Sequence, residues 1–329
     1  MGIGVAFALA AGMMWGLVFV GPLMLPEYPA ALQAFGRYLA FGLIAIPLAW
    51  LDRQELARLQ RADWIEALKL SAVGNVIYYL FLASAIQRAG GALPTMIIGT
   101  LPVVIAISAN LRDRQRDGML PWAALLPSLL VIAAGIACVN QAELASLAGQ
   151  TDALRARYAS GALLAIGAVA CWTWYPLRNA DWLRHHPGRK PRAWATAQGL
   201  TVLPIALLGY GGFWLWEISA AGTAVAPGDT FPMPFGPRPL AFVGLMAAIG
   251  LLSSWIGTLC WNQASKRLPT SLVGQLIVFE TLAALTYTFL LHRRWPSALV
   301  LLGVGLLVAG VLWAVRIKPV KLAIKKPSA

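Results

Sequence analysis

Apolar runs of about twenty residues, broken by short polar stretches, fill this chain almost from end to end. The first, Ile3–Leu25, carries no charge. A helix needs roughly 20 residues, at about 1.5 Å rise each, to cross about 30 Å of hydrocarbon. Ten segments meet or approach that length: Ile3–Leu25, Ala30–Leu51, Trp64–Gln87, Leu93–Leu111, Met119–Asn140, Tyr158–Ala180, Ala193–Trp216, Pro239–Ala264, Pro269–Leu291 and Pro296–Val315. The pattern predicts an all-α polytopic membrane protein with ten transmembrane helices.

The second five segments echo the first five. Leu93-Pro94-Thr95 recurs as Leu268-Pro269-Thr270, and the same offset of 175 maps Gly99 on Gly274, Pro121 on Pro296 and Gly135 on Gly310. Earlier in each half an offset of 157 maps Gly4 on Gly161, Ala8 on Ala165 and Trp15 on Trp172. The 18 extra residues fit in the Pro/Gly-rich connection from Glu217 to Arg238. The organisation expected is a first five-helix repeat over 1–141, a periplasmic connection over 142–157, a second repeat over 158–316 and a basic cytoplasmic tail over 317–329. An odd number of spans per repeat forces the two copies into opposite orientations. That inverted arrangement characterises secondary transporters, whose solute site lies near the midplane between the repeats.

Composition sharpens this picture. Hydrophobic residues make up 59% of the chain and charged residues 12%, which excludes an ordinary soluble protein. The net charge of +13 would suit nucleic acid if it were clustered on one soluble face, but it is distributed by loop. With the N-terminus inside, 18 Lys and Arg fall in inner loops, at the inner edge of a span (Arg178) and in the tail, 6 fall in outer loops, and Arg37 and Lys69 lie within spans. Basic loops stay cytoplasmic, so both termini are expected there, in the plasma (inner) membrane. Cys138, Cys171 and Cys260 lie unpaired in apolar segments and read as small core residues.

Candidate chemistry is sparse. His185, His186 and His292 sit in or beside loops, and no hydrolase, zinc or phosphate-binding motif is present, so no enzyme and no cofactor or metal is expected. Aromatics say more. Trp15 lies twelve residues beyond Ile3, roughly 18 Å into its helix at about 1.5 Å per residue. Trp172, Tyr78, Tyr79 and Trp255 also fall near mid-depth, where an N–H or O–H needs a partner. Trp64, Trp122, Trp182, Trp295 and Trp313 sit at span ends, as interfacial belts do. Glu280, eleven residues past Pro269, is buried by sequence and reads as an ammonium ligand, a proton site or a structural partner. Arg37, seven residues into its span, either snorkels outward or meets a carboxylate. Asn75, Gln87, Asn110, Gln198, Asn262, Gln263 and Gln275 are the polar residues that could line a path, and Gly12-x-x-x-Gly16 permits close helix packing.

These motifs resemble the drug/metabolite transporter superfamily, in its ten-helix branch with EamA-like repeats. The resemblance rests on the Gly-rich first helix ending in Trp15-Gly16, on Leu93-Pro94-Thr95 followed by Pro102-Val103, and on Gly303 with Gly310. Phe279-Glu280-Thr281-Leu282 and Trp172-Thr173-Trp174-Tyr175-Pro176 look like YddG-type exporters of aromatic amino acids. The resemblance implies a central cavity between the repeats. It makes Trp15, Tyr78, Tyr79, Met96, Thr100, Trp172, Tyr175, Trp255 and Gln275, together with Glu280, candidate substrate-binding residues. Many EamA repeats show Glu-Pro where this chain has Glu280-Thr281. The first and sixth helices lack the glutamate of the small multidrug branch, which argues against proton-driven efflux of cationic drugs. The resemblance thus implies export of aromatic or other neutral amino acids by alternating access, the alternative being amphipathic drugs or cationic metabolites with Glu280 as the cation or proton site. The expected partners are the small-molecule solute and membrane lipid, with no nucleic acid, for a chain acting as a monomer. Single-cysteine labelling from each face of sealed vesicles checks the topology: residues near Pro94 and near Pro269 are expected on opposite sides, and the same side would refute the inversion.

Overall fold

The computed structural model describes residues 2–112, 121–146, 151–221, 231–268, 273, 276–293, 295–317 and 320. The described elements are helical: α1 (Gly2–Met24), α2 (Ala30–Leu51), α3 (Arg53–Leu56), α4 (Arg61–Ala89), α5 (Ala92–Ile98), α6 (Leu101–Arg112), α7 (Trp122–Ser146), α8 (Asp152–His185), α9 (Pro191–Ala221), α10 (Pro239–Arg267), α11 (Val278–His292) and α12 (Ala298–Arg316). Seven of them (α1, α2, α4, α7, α8, α9 and α10) are long and apolar enough to cross a bilayer, and shorter apolar helices cover 92–105, 278–292 and 298–310. Helices are the form an apolar chain must take where lipid offers its backbone no hydrogen bond.

Apolar side chains point outward as well as inward. Leu130, Leu163, Leu208 and Leu240 are strongly exposed while Trp15, Tyr79 and Tyr175 are buried. In water such an exterior would be an aggregation surface; against acyl chains it is the matching solvent.

Small residues set how closely helices approach. A Cβ on Gly12 would lie 3.0 Å from the Glu280 amide nitrogen, and one on Gly16 only 2.7 Å from the Ala283 Cβ. The Gly12-x-x-x-Gly16 stripe thus seats α1 against α11, as its spacing suggests. Gly135 and Gly303 do the same between α7 and α12, where a Cβ on either would come within 2.7 Å of the other's carbonyl oxygen.

Prolines behave less disruptively than their number implies. Pro22, Pro176 and Pro204 lie within continuous helices. Pro22 lacks the N–H that would reach the Val18 carbonyl one turn earlier. The Tyr79 hydroxyl donates to that carbonyl instead, at 3.2 Å. The segment read as one span over Leu93–Leu111 is two helices, α5 and α6, broken at Gly99-Thr100 just before Pro102. α4 and α10 each widen into a π-helical stretch halfway along, at Leu70–Ile77 and Gly250–Ile256. Such turns leave the ordinary i→i−4 ladder and often mark functional positions.

Gly135→Ala inserts a methyl against backbone rather than a movable side chain. It is expected to cost about 1–3 kcal/mol of stability. Gly244→Ala, which meets nothing within 4 Å, is expected to cost far less. Thermal unfolding in detergent, followed by tryptophan fluorescence, separates the two.

Candidate functional site

At the centre of the bundle, six helices enclose a small polar chamber. Its lining comprises Trp15 and Val18 from α1, Arg37 and Tyr38 from α2, Asn75 and Tyr78 from α4, Trp172 from α8, Ser253, Ser254 and Thr258 from α10, and Glu280 from α11. The cavity volume is about 10 Å³, room for about one water. The aromatic rings fill the rest. Trp172 stacks on both Tyr78 and Tyr175, with centroids 4.8 Å away in each pair, and meets Trp15 edge-on at 5.1 Å. Trp15 donates from Nε1 to the Ser253 carbonyl at 3.0 Å, and Ser253 Oγ donates back to the Met14 carbonyl, locking α1 to the π turn of α10. Gly74, in the π turn of α4, leaves space for the Tyr175 ring, which a Cβ there would strike at 2.2 Å.

One basic and one acidic side chain face this chamber, Arg37 at 4% exposure and Glu280 at 1%. A charged side chain at mid-bilayer costs roughly 2.5–3.5 kcal/mol on insertion scales. Arg37 neither snorkels outward nor closes on a carboxylate. Its Nε donates to Ser254 Oγ at 2.9 Å, and its guanidinium lies over the rings of Tyr79 and Tyr38, at 4.4 and 4.9 Å from their centroids. Arg37 Nη1 and Glu280 Oε2 have no hydrogen-bonding partner within the protein, nor do Asn75 Nδ2, Tyr78 Oη, Tyr38 Oη and Trp172 Nε1.

Of the candidates read from sequence, Trp15, Tyr78, Trp172 and Glu280 meet at this chamber. Tyr79 stands behind it, carrying Arg37 on its face. Tyr175 forms the next layer, donating to Gln198 Oε1 at 2.8 Å. Met96 is buried in a separate apolar cluster with Val103, Val278 and Leu307. Thr100 bonds its hydroxyl to the Ile97 carbonyl at the α5–α6 break. Trp255 points to Thr196 on α9, at 3.4 Å. Gln275 lies outside the described residues. The lining residues sequence reasoning did not single out are Val18, Tyr38, Ser253, Ser254 and Thr258. An available signal was the Ser253-Ser254 pair at the middle of an otherwise apolar span.

Polar contacts close both ends. At the end richer in basic residues, Asn179 donates to Asn262 at 2.9 Å and accepts from Trp194 at 2.9 Å, while Trp182 donates to Asp63 at 2.8 Å. Trp182, read as an interfacial residue, is instead stacked on Trp194. Outside this layer, Arg192 grips Asp52, which also accepts from Thr196, and Arg178 forks onto both oxygens of Glu66. At the other end, Tyr28 donates to the Phe235 carbonyl and accepts from the Arg238 amide, and Arg238 pairs with Glu27. That hydrogen bond holds the Glu27 carboxyl below its usual range. Its contribution is therefore present above the ordinary carboxylate range and is lost as pH falls through the depressed value.

A polytopic helical membrane protein with a closed, aromatic-walled polar chamber is the class this architecture defines. The EamA-like transporter family model matches residues 2–140. The Inner membrane protein YtfF of Escherichia coli (strain K12) is 57% identical over 320 residues, 97% of this chain and 96% of that protein. A solved crystal structure shares the fold with a TM-score of 0.63 at 17% sequence identity, over 94% of this chain and 96% of that one. The chain belongs to the EamA-like transporter family.

Asp52 is 1% exposed at its side chain and holds two partners, so its loss is more costly than that of a surface ion pair. Asp52→Ala is expected to lower stability by about 1–3 kcal/mol, read as an earlier unfolding midpoint. An unchanged midpoint would show the contact to be idle.

Proposed function

We propose that this chain is a ten-span secondary transporter of the inner membrane, built from two inverted five-helix repeats and exporting aromatic or other neutral amino acids by alternating access. The observation that carries the reading is the central chamber, walled by Trp15, Trp172 and Tyr78 and lined from both halves of the sequence. Aromatic faces in a desolvated site favour an aromatic or apolar solute over a strongly hydrated one.

The repeat reading draws support from who packs on whom. α1 packs on α11 and α10, and α8 packs on α4, α5 and α6, the same relation with the halves exchanged. α2 packs on α9 and α7 on α12, each pairing one span with its repeat mate. The π turns in α4 and α10 fall halfway along the mated third and eighth spans. Family membership and the name of the relative favour an inner-membrane transporter.

With both ends closed, this geometry suits an occluded state. Export then requires the Asp52–Arg192 end to part while the Tyr28–Arg238 end holds, followed by the reverse. Proteoliposomes loaded with labelled phenylalanine or tryptophan test the function. Saturable flux is expected, falling about tenfold in Trp172→Ala as roughly 1.4 kcal/mol of aromatic contact is removed. Absent saturable flux, with Trp172→Ala indistinguishable from the parent, overturns the reading. Strong competition by lipophilic cations would point instead to amphipathic drugs or cationic metabolites.

A further inference from the structure

The chamber holds one cationic and one anionic side chain that do not use each other up. A pair kept for the fold alone closes on itself with its hydrogen bonds satisfied, because an open pair costs desolvation on both sides. Here Arg37 is tethered from behind by Ser254 and by the faces of Tyr38 and Tyr79, leaving Nη1 free. Glu280 faces the same space with Oε2 free, held at its backbone by the close contact with Gly12. Both side chains are over nine-tenths buried.

We infer that Arg37 and Glu280 form a zwitterion clamp, Arg37 taking the α-carboxylate and Glu280 the α-ammonium of one free amino acid, whose side chain lies among Trp15, Trp172 and Tyr78. The inference rests on the transport reading above and adds the chemistry that selects the solute. Charge balance carries it. Arg37 and Glu280 together are neutral when both are ionised, so a solute with both charges satisfies both and leaves the chamber neutral. An amine without a carboxylate pairs Glu280 but strands the guanidinium; a carboxylate without an amine strands Glu280. A stranded charge in a dry site is a large penalty, which makes the clamp selective by rejection as well as by attraction. Arg37 suits its role because a planar guanidinium presents paired donors to a carboxylate. Asn75 Nδ2, also without a partner, donates a further hydrogen bond to the carboxylate, and Tyr78 Oη, beside Glu280, accepts one from the ammonium. The closed chamber is far smaller than such a solute, so binding belongs to a state in which one end has parted.

Three ligands of one side chain decide it: phenylalanine, phenethylamine, which lacks the carboxylate, and 3-phenylpropionate, which lacks the ammonium. Competition against labelled phenylalanine binding to the purified wild-type protein in proteoliposomes is expected to rank phenylalanine at least about tenfold above both. Arg37→Gln is expected to bring phenylalanine and phenethylamine level, and Glu280→Gln to bring phenylalanine and 3-phenylpropionate level. If phenethylamine competes as well as phenylalanine in the wild type, the clamp is overturned while transport of aromatic amines survives. If 3-phenylpropionate does so, the clamp fails and an aromatic-anion carrier remains. No saturable binding of any of the three overturns the clamp and the amino-acid reading together. The wild-type ranking needs no variant to fold.

Discussion

Lipid gives a polar group nothing to bond to, and that constraint shapes each level of this molecule. It drives the backbone into helices, pushes leucines to the outside, and turns hydroxyls, amides and charges toward the interior of the bundle. The Val18 carbonyl freed by Pro22 shows how far it reaches: a tyrosine from another helix is placed to bond it. The same pressure makes polar groups without partners conspicuous. In this chain several of them converge on one small chamber, among them Arg37, Asn75, Tyr78, Trp172 and Glu280.

The ends of the bundle and its centre are built on opposite principles. At the ends, charges are matched: Asp52 with Arg192, Glu66 with Arg178, Glu27 with Arg238. Each pair reaches water through its arginine, so the cation stays solvated when the pair parts; the outer pairs are individually weak, and the buried Asp52 is the most costly to separate. At the centre the charges are kept apart and held by aromatic faces and a serine. Contacts that can part and a core that demands a partner are the two ingredients a carrier needs. Membership of the EamA-like transporter family accords with both.

Much of the architecture was legible because periodicity is unnecessary to see a membrane span: length and the absence of charge suffice, as for α1 and α2. Gly12 and Gly16 declared a close helix contact by spacing alone. The α5–α6 break was hidden because apolar content is the same on both sides of Gly99, and only Pro102 hinted at it. Within the site, bulky aromatics at mid-depth stood out, whereas Ser253, Ser254 and Thr258 did not. Small hydroxyls are common in membrane helices; Ser253 and Ser254 reach the chamber from the π turn of α10, and Thr258 from the turn just after it. Met96 and Thr100 sit at the right depth in the sequence, but the described chamber takes no lining residue from α5 or α6, which one-dimensional depth does not reveal. Trp182 resembled a belt residue because its partner Trp194 lies on the next helix.

Alternating access requires this chamber to open to each side of the membrane in turn. Thr258 lines it without contributing charge, so Thr258→Cys, in a background with Cys138, Cys171 and Cys260 replaced, reports on access directly. A membrane-impermeant thiol reagent is applied to sealed right-side-out and inverted vesicles. Labelling from both sides is the predicted result. Labelling from one side alone, or from neither, would contradict it.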